Sequence, residues 1–181
     1  GGHEGRALIK GDRIAVHTNR KSAGTIGKSL AHDILPCYST NPIIRLIESG
    51  ETRQLSKETL KQMTATTFTV SIEADRMGYR LSGTPIATKK SFELLTSAAT
   101  FGTVQLLPDG QLVILMADHQ TSGGYPRVGA VIEVDLPQLA QASPGNQLTF
   151  EFVTVEEAEF AFEKFERDLR ILKTAIGGLS S

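Results

Sequence analysis

Between Ile43 and Phe152 the apolar residues come in short runs, and turn chemistry closes each one. Ile43-Ile44-Arg45-Leu46-Ile47 stops at Ser49-Gly50. Gly102-Thr103-Val104-Gln105-Leu106 and Gln111-Leu112-Val113-Ile114-Leu115-Met116 flank Pro108-Asp109-Gly110, where proline presets φ and glycine accepts a positive φ. Pieces this short suit many brief strands and cannot build a bundle of long helices. The pattern predicts a mainly β domain of the α+β class.

Further strands are expected at residues 66–72, 92–95, 128–134 and 148–152. In the first of these, Phe68, Val70 and Ile72 alternate onto one face. Residues 7–16 read as two short strands around a Gly11-Asp12 turn. Residues 17–40 carry Arg20, Lys21 and Lys28 with little apolar periodicity, and are expected to form a long solvated loop. A short helix is expected over residues 55–63, capped by Ser56, and one helical turn over residues 137–142, with Asp135 near its start. Pro144-Gly145 is a turn.

The last long element is a helix over residues 154–176. Thr154 and Glu157 form a capping box, with Val153 and Ala158 at the staple positions. Glu156, Glu157 and Glu159 crowd its start while Arg170 and Lys173 sit near its end, as the helix dipole favours. Ala158, Phe162, Phe165, Leu169, Leu172 and Ile176 recur at three- and four-residue steps. That stripe is expected to pack on the core, with a partner-helix seam as the alternative.

A chain of 181 residues is long enough to hold a sizeable core in one domain, here residues 1–181 with the helix inside it. Nineteen Lys and Arg against 20 Asp and Glu leave a formal charge of -1, so no basic excess points to nucleic acid or an anionic membrane. Cys37 is the single cysteine, which excludes an intrachain disulfide and fits a reducing, cytoplasmic setting. No apolar run reaches the roughly 18 residues that span a bilayer, and the opening residues do not read as a signal peptide. His3, His17, His32 and His119 show no metal-ligand spacing, so no metal is expected. The familiar nucleophile-elbow, phosphate-loop and zinc-protease motifs are missing.

Two segments hold more special residues than packing needs. In Asp75-Arg76-Met77-Gly78-Tyr79-Arg80, an extended backbone would put Arg76, Gly78 and Arg80 on one face. Two guanidiniums with a glycine between them suit a carboxylate, phosphate or bicarbonate. The structural alternative pairs these arginines with Glu73 and Asp75. In Asp118-His119-Gln120-Thr121-Ser122-Gly123-Gly124-Tyr125, an apolar strand gives way to hydrogen-bonding side chains and a glycine pair. Asp118 and His119 would exchange protons, Gln120 would orient a polar substrate, and the glycines would let backbone approach a ligand. A loop held by local side-chain to backbone bonds is the alternative.

Residues 75–86 (DRMGYRLSGTPI) and the string from Phe101 to Ala158 resemble the C-terminal part of one bacterial family. It goes by biotin-dependent carboxyltransferase family, allophanate hydrolase subunit 2, KipA-like protein and the C subunit of 5-oxoprolinase. The opening residues 1–14 (GGHEGRALIKGDRI) resemble a mid-chain segment of that family, and residues 17–40 match least. Family members carry a further N-terminal half before this segment. Ser122 stands where the family often has Thr.

The resemblance implies a cyclophilin-like β-barrel with peripheral helices. It also implies work in a complex with a KipI-like B subunit and a third subunit, opening 5-oxoproline to glutamate with ATP. ATP would be bound in the complex and not by this chain alone. A related carboxyltransferase domain moves a carboxyl group from carboxybiotin to urea, and a regulatory module binding a KipI-like kinase inhibitor is a third role. Carried onto this chain, the motifs nominate Asp118, Gln120 and Tyr125 for catalysis. Arg76, Arg80, Gln105, Gly123 and Gly124 are nominated for substrate binding. Alanine at Arg76 or Asp118 is expected to cut turnover and spare folding.

Overall fold

A computed structural model of the chain describes residues 4–15, 38–87 and 97–177. Its centre is a closed barrel of seven strands, in the order β1 (Ile43–Ile47), β8 (Arg127–Val131), β5 (Thr103–Leu106), β6 (Leu112–Leu115), β3 (Gly78–Ser82), β2 (Phe68–Val70) and β9 (Gln147–Phe152). β9 returns beside β1 in parallel, with Ile44 opposite Phe150, and every other barrel pairing is antiparallel. Closure removes the free edges that an open sheet of this size would expose. The short strand β4 (Ser97–Ala98) pairs with β7 (Ser122–Gly123) outside the barrel.

Period-two alternation fills the interior. Ile44, Leu46, Phe68, Val70, Leu81, Val104, Leu112, Ile114, Val128, Leu148 and Phe150 all point inward and are buried. The Phe68 and Phe150 rings meet at 5.4 Å between centroids, tilted by 49°. Helix α1 (Lys57–Ala65) is capped as expected, the Ser56 hydroxyl accepting the Thr59 N–H, and sends Met63 into the same core. Helix α2 (Leu136–Ala140) adds Leu139. The β5–β6 hairpin closes where foreseen, Gly110 taking φ +81°.

Two of the bidentate ion pairs between distant parts of the chain brace the barrel strands β1 and β8. Arg45 on β1 donates through Nε and Nη2 to Asp135 at 3.0 and 2.6 Å, and Asp135 also accepts the Arg45 N–H. Asp135 therefore serves β1 and makes no side-chain cap for α2. Arg127 forks onto Glu51 at 2.8 Å through both Nε and Nη2. Thr52 adds a buried hydroxyl bond to the Val128 carbonyl.

Several expectations are corrected. Residues 7–15 form no strand, because Asp12 captures the local donors: its carboxylate accepts the Ile9 N–H and the Arg6 guanidinium. The Gly11 turn itself is present, at φ +104°. Ile72 is exposed rather than facing inward with Phe68 and Val70, because β2 stops at Val70 and the chain turns, Ala74 N–H donating to the Ser71 carbonyl. The strand expected to reach residue 134 ends at Val131 and passes into a 3-10 turn, Glu133–Asp135. The strand expected at residues 92–95, most of the loop at 17–40, and Cys37 lie outside the described residues.

Helix α3 (Val155–Gly177) begins with the predicted capping box: Thr154 N–H donates to Glu157, and Glu157 N–H donates to Thr154. Its described stripe residues do not enter the core. Ala158, Phe162, Leu169 and Leu172 are half-buried, Phe165 is exposed, none of them joins the core cluster, and the helix packs on the 3-10 turn Glu133–Asp135. The interior is already filled by the barrel strands, α1 and α2. No helix among the described residues is long and apolar enough to cross a membrane.

Candidate functional site

The barrel's outer face, not its lumen, carries a cleft suited to a small molecule. Registry puts Arg80 of β3 opposite Val113 of β6, and Val113 opposite Gln105 of β5. Since Leu81, Ile114 and Val104 face inward, Arg80, Val113 and Gln105 form a row on the outside. With strands about 4.8 Å apart, that row spans roughly 10 Å. Gly78 and Leu115 lie beside it, one residue pair further along the face.

Loops build walls around this floor. The segment after β6 contributes Gln120 and Tyr125, the β5–β6 hairpin contributes Leu107, Pro108 and Asp109, and the turn before β3 contributes Glu73, Asp75 and Met77. The enclosed volume is about 500 Å³. Such a space, with apolar walls and a few convergent polar groups, suits a small molecule.

Gln105 stands out chemically. Its side chain is on the outward face, yet only 2% of the residue is exposed. Val128 of β8 shifts the pairing register beside it, a bulge of the kind that re-aims a side chain. Gly123 covers the amide: a Cβ there would lie 2.7 Å from Gln105 Nε2 and 3.5 Å from Gln120 Nε2. Two primary amides therefore meet at one glycine, from different elements.

Arg80 is the one cation among the described residues that line the cleft. It donates to Gln111 Oε1 at 3.1 Å and lies 3.6 and 3.7 Å from carboxylate oxygens of Glu73 and Asp109. Asp75 is occupied with its own turn, accepting the Met77 and Gly78 N–H groups.

Arg76 does not share the Arg80 face. The backbone before β3 turns instead of running extended, so Met77 lines the cleft. Arg76 forks onto Asp118 at 2.6 and 3.0 Å on the outside, over a backbone bond from the Asp118 N–H to the Arg76 carbonyl. The guanidinium holds the Asp118 carboxyl below the usual carboxylate range. Asp118 is thus ionised near neutral pH and is no proton donor there. His119 turns away from it, its Nδ1 lying 2.6 Å from the Gln120 carbonyl oxygen. The space at Gly78, expected to separate two guanidiniums, is filled by Val113 Cγ1.

Of the eight nominated residues, the cleft gathers Arg80, Gln105, Gln120 and Tyr125. Gly123 backs the two amides, Gly124 is exposed beside it, and Arg76 with Asp118 stands outside the lining. The cleft also holds Met77, Leu107 and Leu115, which the sequence does not nominate, and Asp109, which the sequence places in the hairpin turn. No group of three His, Cys, Asp or Glu among the described residues is placed to hold a metal.

Comparison with known proteins fixes the family. The carboxyltransferase domain, subdomains A and B, matches residues 1–152. The chain is 37% identical over 158 residues to the C subunit of 5-oxoprolinase from Haemophilus influenzae, which covers 87% of this chain and 49% of that protein. Against the C subunit of 5-oxoprolinase from Escherichia coli the identity is 32% with the same coverage. The chain thus spans about half the length of these curated relatives. Among solved structures, the K. lactis urea amidolyase superposes with a TM-score of 0.69 at 20% identity, over 76% of this chain and 9% of that one, a likeness of fold. The closed barrel, its ordered motifs and these matches agree, and the chain belongs to the carboxyltransferase family of subdomains A and B.

Proposed function

We propose that this chain is the barrel domain of a 5-oxoprolinase subunit and that its outer cleft binds the lactam of 5-oxoproline. In this reading it acts in a complex with a KipI-like B subunit and a third subunit, and the complex opens the ring to glutamate with ATP. The names of the two curated relatives support the assignment. The observation that carries it is the meeting of the Gln105 and Gln120 amides at Gly123, inside a cleft that also holds Arg80.

The chemistry fits a cyclic amide that bears a carboxylate. A lactam presents one N–H donor and one carbonyl acceptor, and a primary amide side chain offers the complementary pair. A buried Gln amide left without its ligand costs more than an exposed one, so binding there is selective for a partner that satisfies it. Arg80 is the counterion for the substrate carboxylate. Tyr125, 43% exposed at the rim, covers the ligand and brings a hydroxyl to it. An N–H donor at the carbonyl oxygen stabilises the charge that develops there when the amide is attacked or phosphorylated.

The cleft lining does not suit a nucleoside triphosphate. Glu73, Asp75 and Asp109 around a single Arg80 repel polyphosphate, so ATP belongs to another part of the complex and no step is routed through it here. Gln105→Leu, which keeps the volume and removes the amide, tests the reading. It should raise KM for 5-oxoproline at least tenfold in the assembled complex with an unchanged melting temperature. An unchanged KM would remove Gln105 from the site.

Carboxyl transfer from carboxybiotin to urea or a related amide is the second reading, supported by the carboxyltransferase description of the matched family. The same paired amides would then hold an acyclic amide.

A further inference from the structure

We propose that Arg127 is a positioning residue for the cleft, holding the β4–β7 ribbon where Gly123 closes over the Gln105 amide. Registry sets Arg127 of β8 opposite Gln105 of β5, so the two stand side by side on the barrel's outer face. The ribbon lies across them. Gly123 of β7 sits over Gln105, and the Ala98 carbonyl of β4 accepts Arg127 Nη1 at 3.1 Å. Neighbouring side chains of the barrel thus each take one strand of the ribbon. Arg127 does not line the cleft, and acts on it through Gly123 and Gln105.

The ribbon needs such a hold. Each strand has two residues, joined by the Ser97–Gly123 and Ala98–Ser122 pairings and extended by the Ala99 N–H donating to the Thr121 carbonyl. A two-stranded ribbon of this length is not stable by its own bonds. β7 is tied at one end, where the chain runs through Gly124, Tyr125 and Pro126 into β8 and the Pro126 carbonyl accepts the Leu106 N–H. Among the described residues, Arg127 is the side chain that ties down β4.

The clamp on Arg127 aims it. Glu51 takes Nε and Nη2 at 2.8 Å each and accepts the Arg127 N–H at 3.2 Å. The planar fork is thereby fixed with Nη1 turned to Ala98. A lysine keeps the charge beside Glu51, but one ammonium cannot serve two carboxylate oxygens and a carbonyl in this geometry. Ala98 is exposed, so water satisfies its carbonyl when the link is lost. Loss of the link therefore frees the ribbon and opens the Gln105 amide more than it unfolds the barrel.

Hydrogen exchange of the Gln105 side-chain amide in the 181-residue chain tests this, followed by NMR and assigned by its absence in Gln105→Leu. In the unsubstituted chain it should exchange more slowly than the amide of exposed Gln141, and equal rates would overturn the proposal. Arg127→Lys should speed it about tenfold or more, as loss of one closing hydrogen bond would. Glu51→Gln is the control, because its Oε1 still accepts from the fork. It should lower the melting temperature and leave the exchange within about threefold of the unsubstituted chain. Unchanged exchange in Arg127→Lys would overturn the proposal, as would equal opening by Glu51→Gln.

The kinetic consequence rests on the reading of the cleft as the 5-oxoproline site. In the assembled complex Arg127→Lys should raise KM about tenfold with kcat little changed, and add nothing to Gln105→Leu. Additive losses in the double variant would overturn action through Gln105. Faster exchange with an unchanged KM would support Arg127 as the positioning residue and remove 5-oxoproline from the cleft.

Discussion

The Gln105 amide occupies the space that a side chain at position 123 would need, its Nε2 lying 2.7 Å from the site of a Cβ. The neighbour that must yield is the far end of a flexible side chain, not backbone. Gly123→Ala should therefore cost only about 1 kcal/mol of stability. It should also displace the amide and raise KM for 5-oxoproline about tenfold, as loss of one hydrogen bond would. Melting curves and steady-state kinetics on the same preparation separate the two effects.

Gly110 presents the opposite case. It sits at φ +81°, and a Cβ would meet Pro85 Cβ at 2.9 Å, the Ile86 carbonyl oxygen at 3.0 Å and the Ile86 nitrogen at 3.1 Å. Gly145, at φ +88°, has nothing within 4 Å of that position. Gly145→Ala should cost about 1 kcal/mol from backbone strain alone. Gly110→Ala should cost about 2–4 kcal/mol, because overpacking against backbone adds to the strain. Urea denaturation of the two variants measures the difference.

Acid should loosen the β8 clamp. The Glu51 carboxyl lies below its ordinary value of 4.5, chiefly because the Arg127 side chain donates to it. Its native pKa being lower than its unfolded one, the ionised form stabilises the fold. That contribution is complete above the unfolded value near 4.5 and is lost as pH falls through the depressed native value. Glu51→Gln should cost about 2 kcal/mol at about pH 7 and less at about pH 3, below the unfolded value. Equal losses at both values would contradict the clamp's ionic character.

Arg76 and Asp118 should behave as one unit. Their fork is exposed and stands outside the cleft lining, so under the proposed function it would act by holding the loop that presents Gln120 and Tyr125. Arg76→Ala and Asp118→Ala should reduce turnover by similar factors, and the double variant should be no worse than either. Arg80→Met should act separately, raising KM, since Arg80 lies inside the cleft. Additive losses from Arg76 and Asp118 would show that each acts on the substrate independently.

Features set by neighbours along the chain are legible in the sequence. The Pro108-Asp109-Gly110 hairpin, the Ser56 cap and the Thr154–Glu157 box each lie within four residues, and all three are in place. The mainly β character follows from the run-and-turn pattern, and the barrel from the family resemblance. Ile72 escapes that pattern because alternation reports only a possible face, and the turn at Ser71 ends the strand before it. The α3 stripe escapes it because periodicity shows that a face is apolar without showing what covers it. Arg127–Glu51 and Arg45–Asp135 join residues far apart in the chain, and no local spacing announces them. At the site, the motifs name Arg80, Gln105, Gln120 and Tyr125, but their common floor depends on strand register, which the sequence does not display.

The most direct test is ADP and glutamate release by the full-length protein assembled with its neighbouring subunits. One series is supplied with 5-oxoproline and another with urea and carboxybiotin. The account predicts ATP-dependent turnover with 5-oxoproline alone, and its loss at low substrate with Gln105→Leu. Silence with 5-oxoproline in a complex shown to be assembled, or turnover only with urea and carboxybiotin, would contradict it.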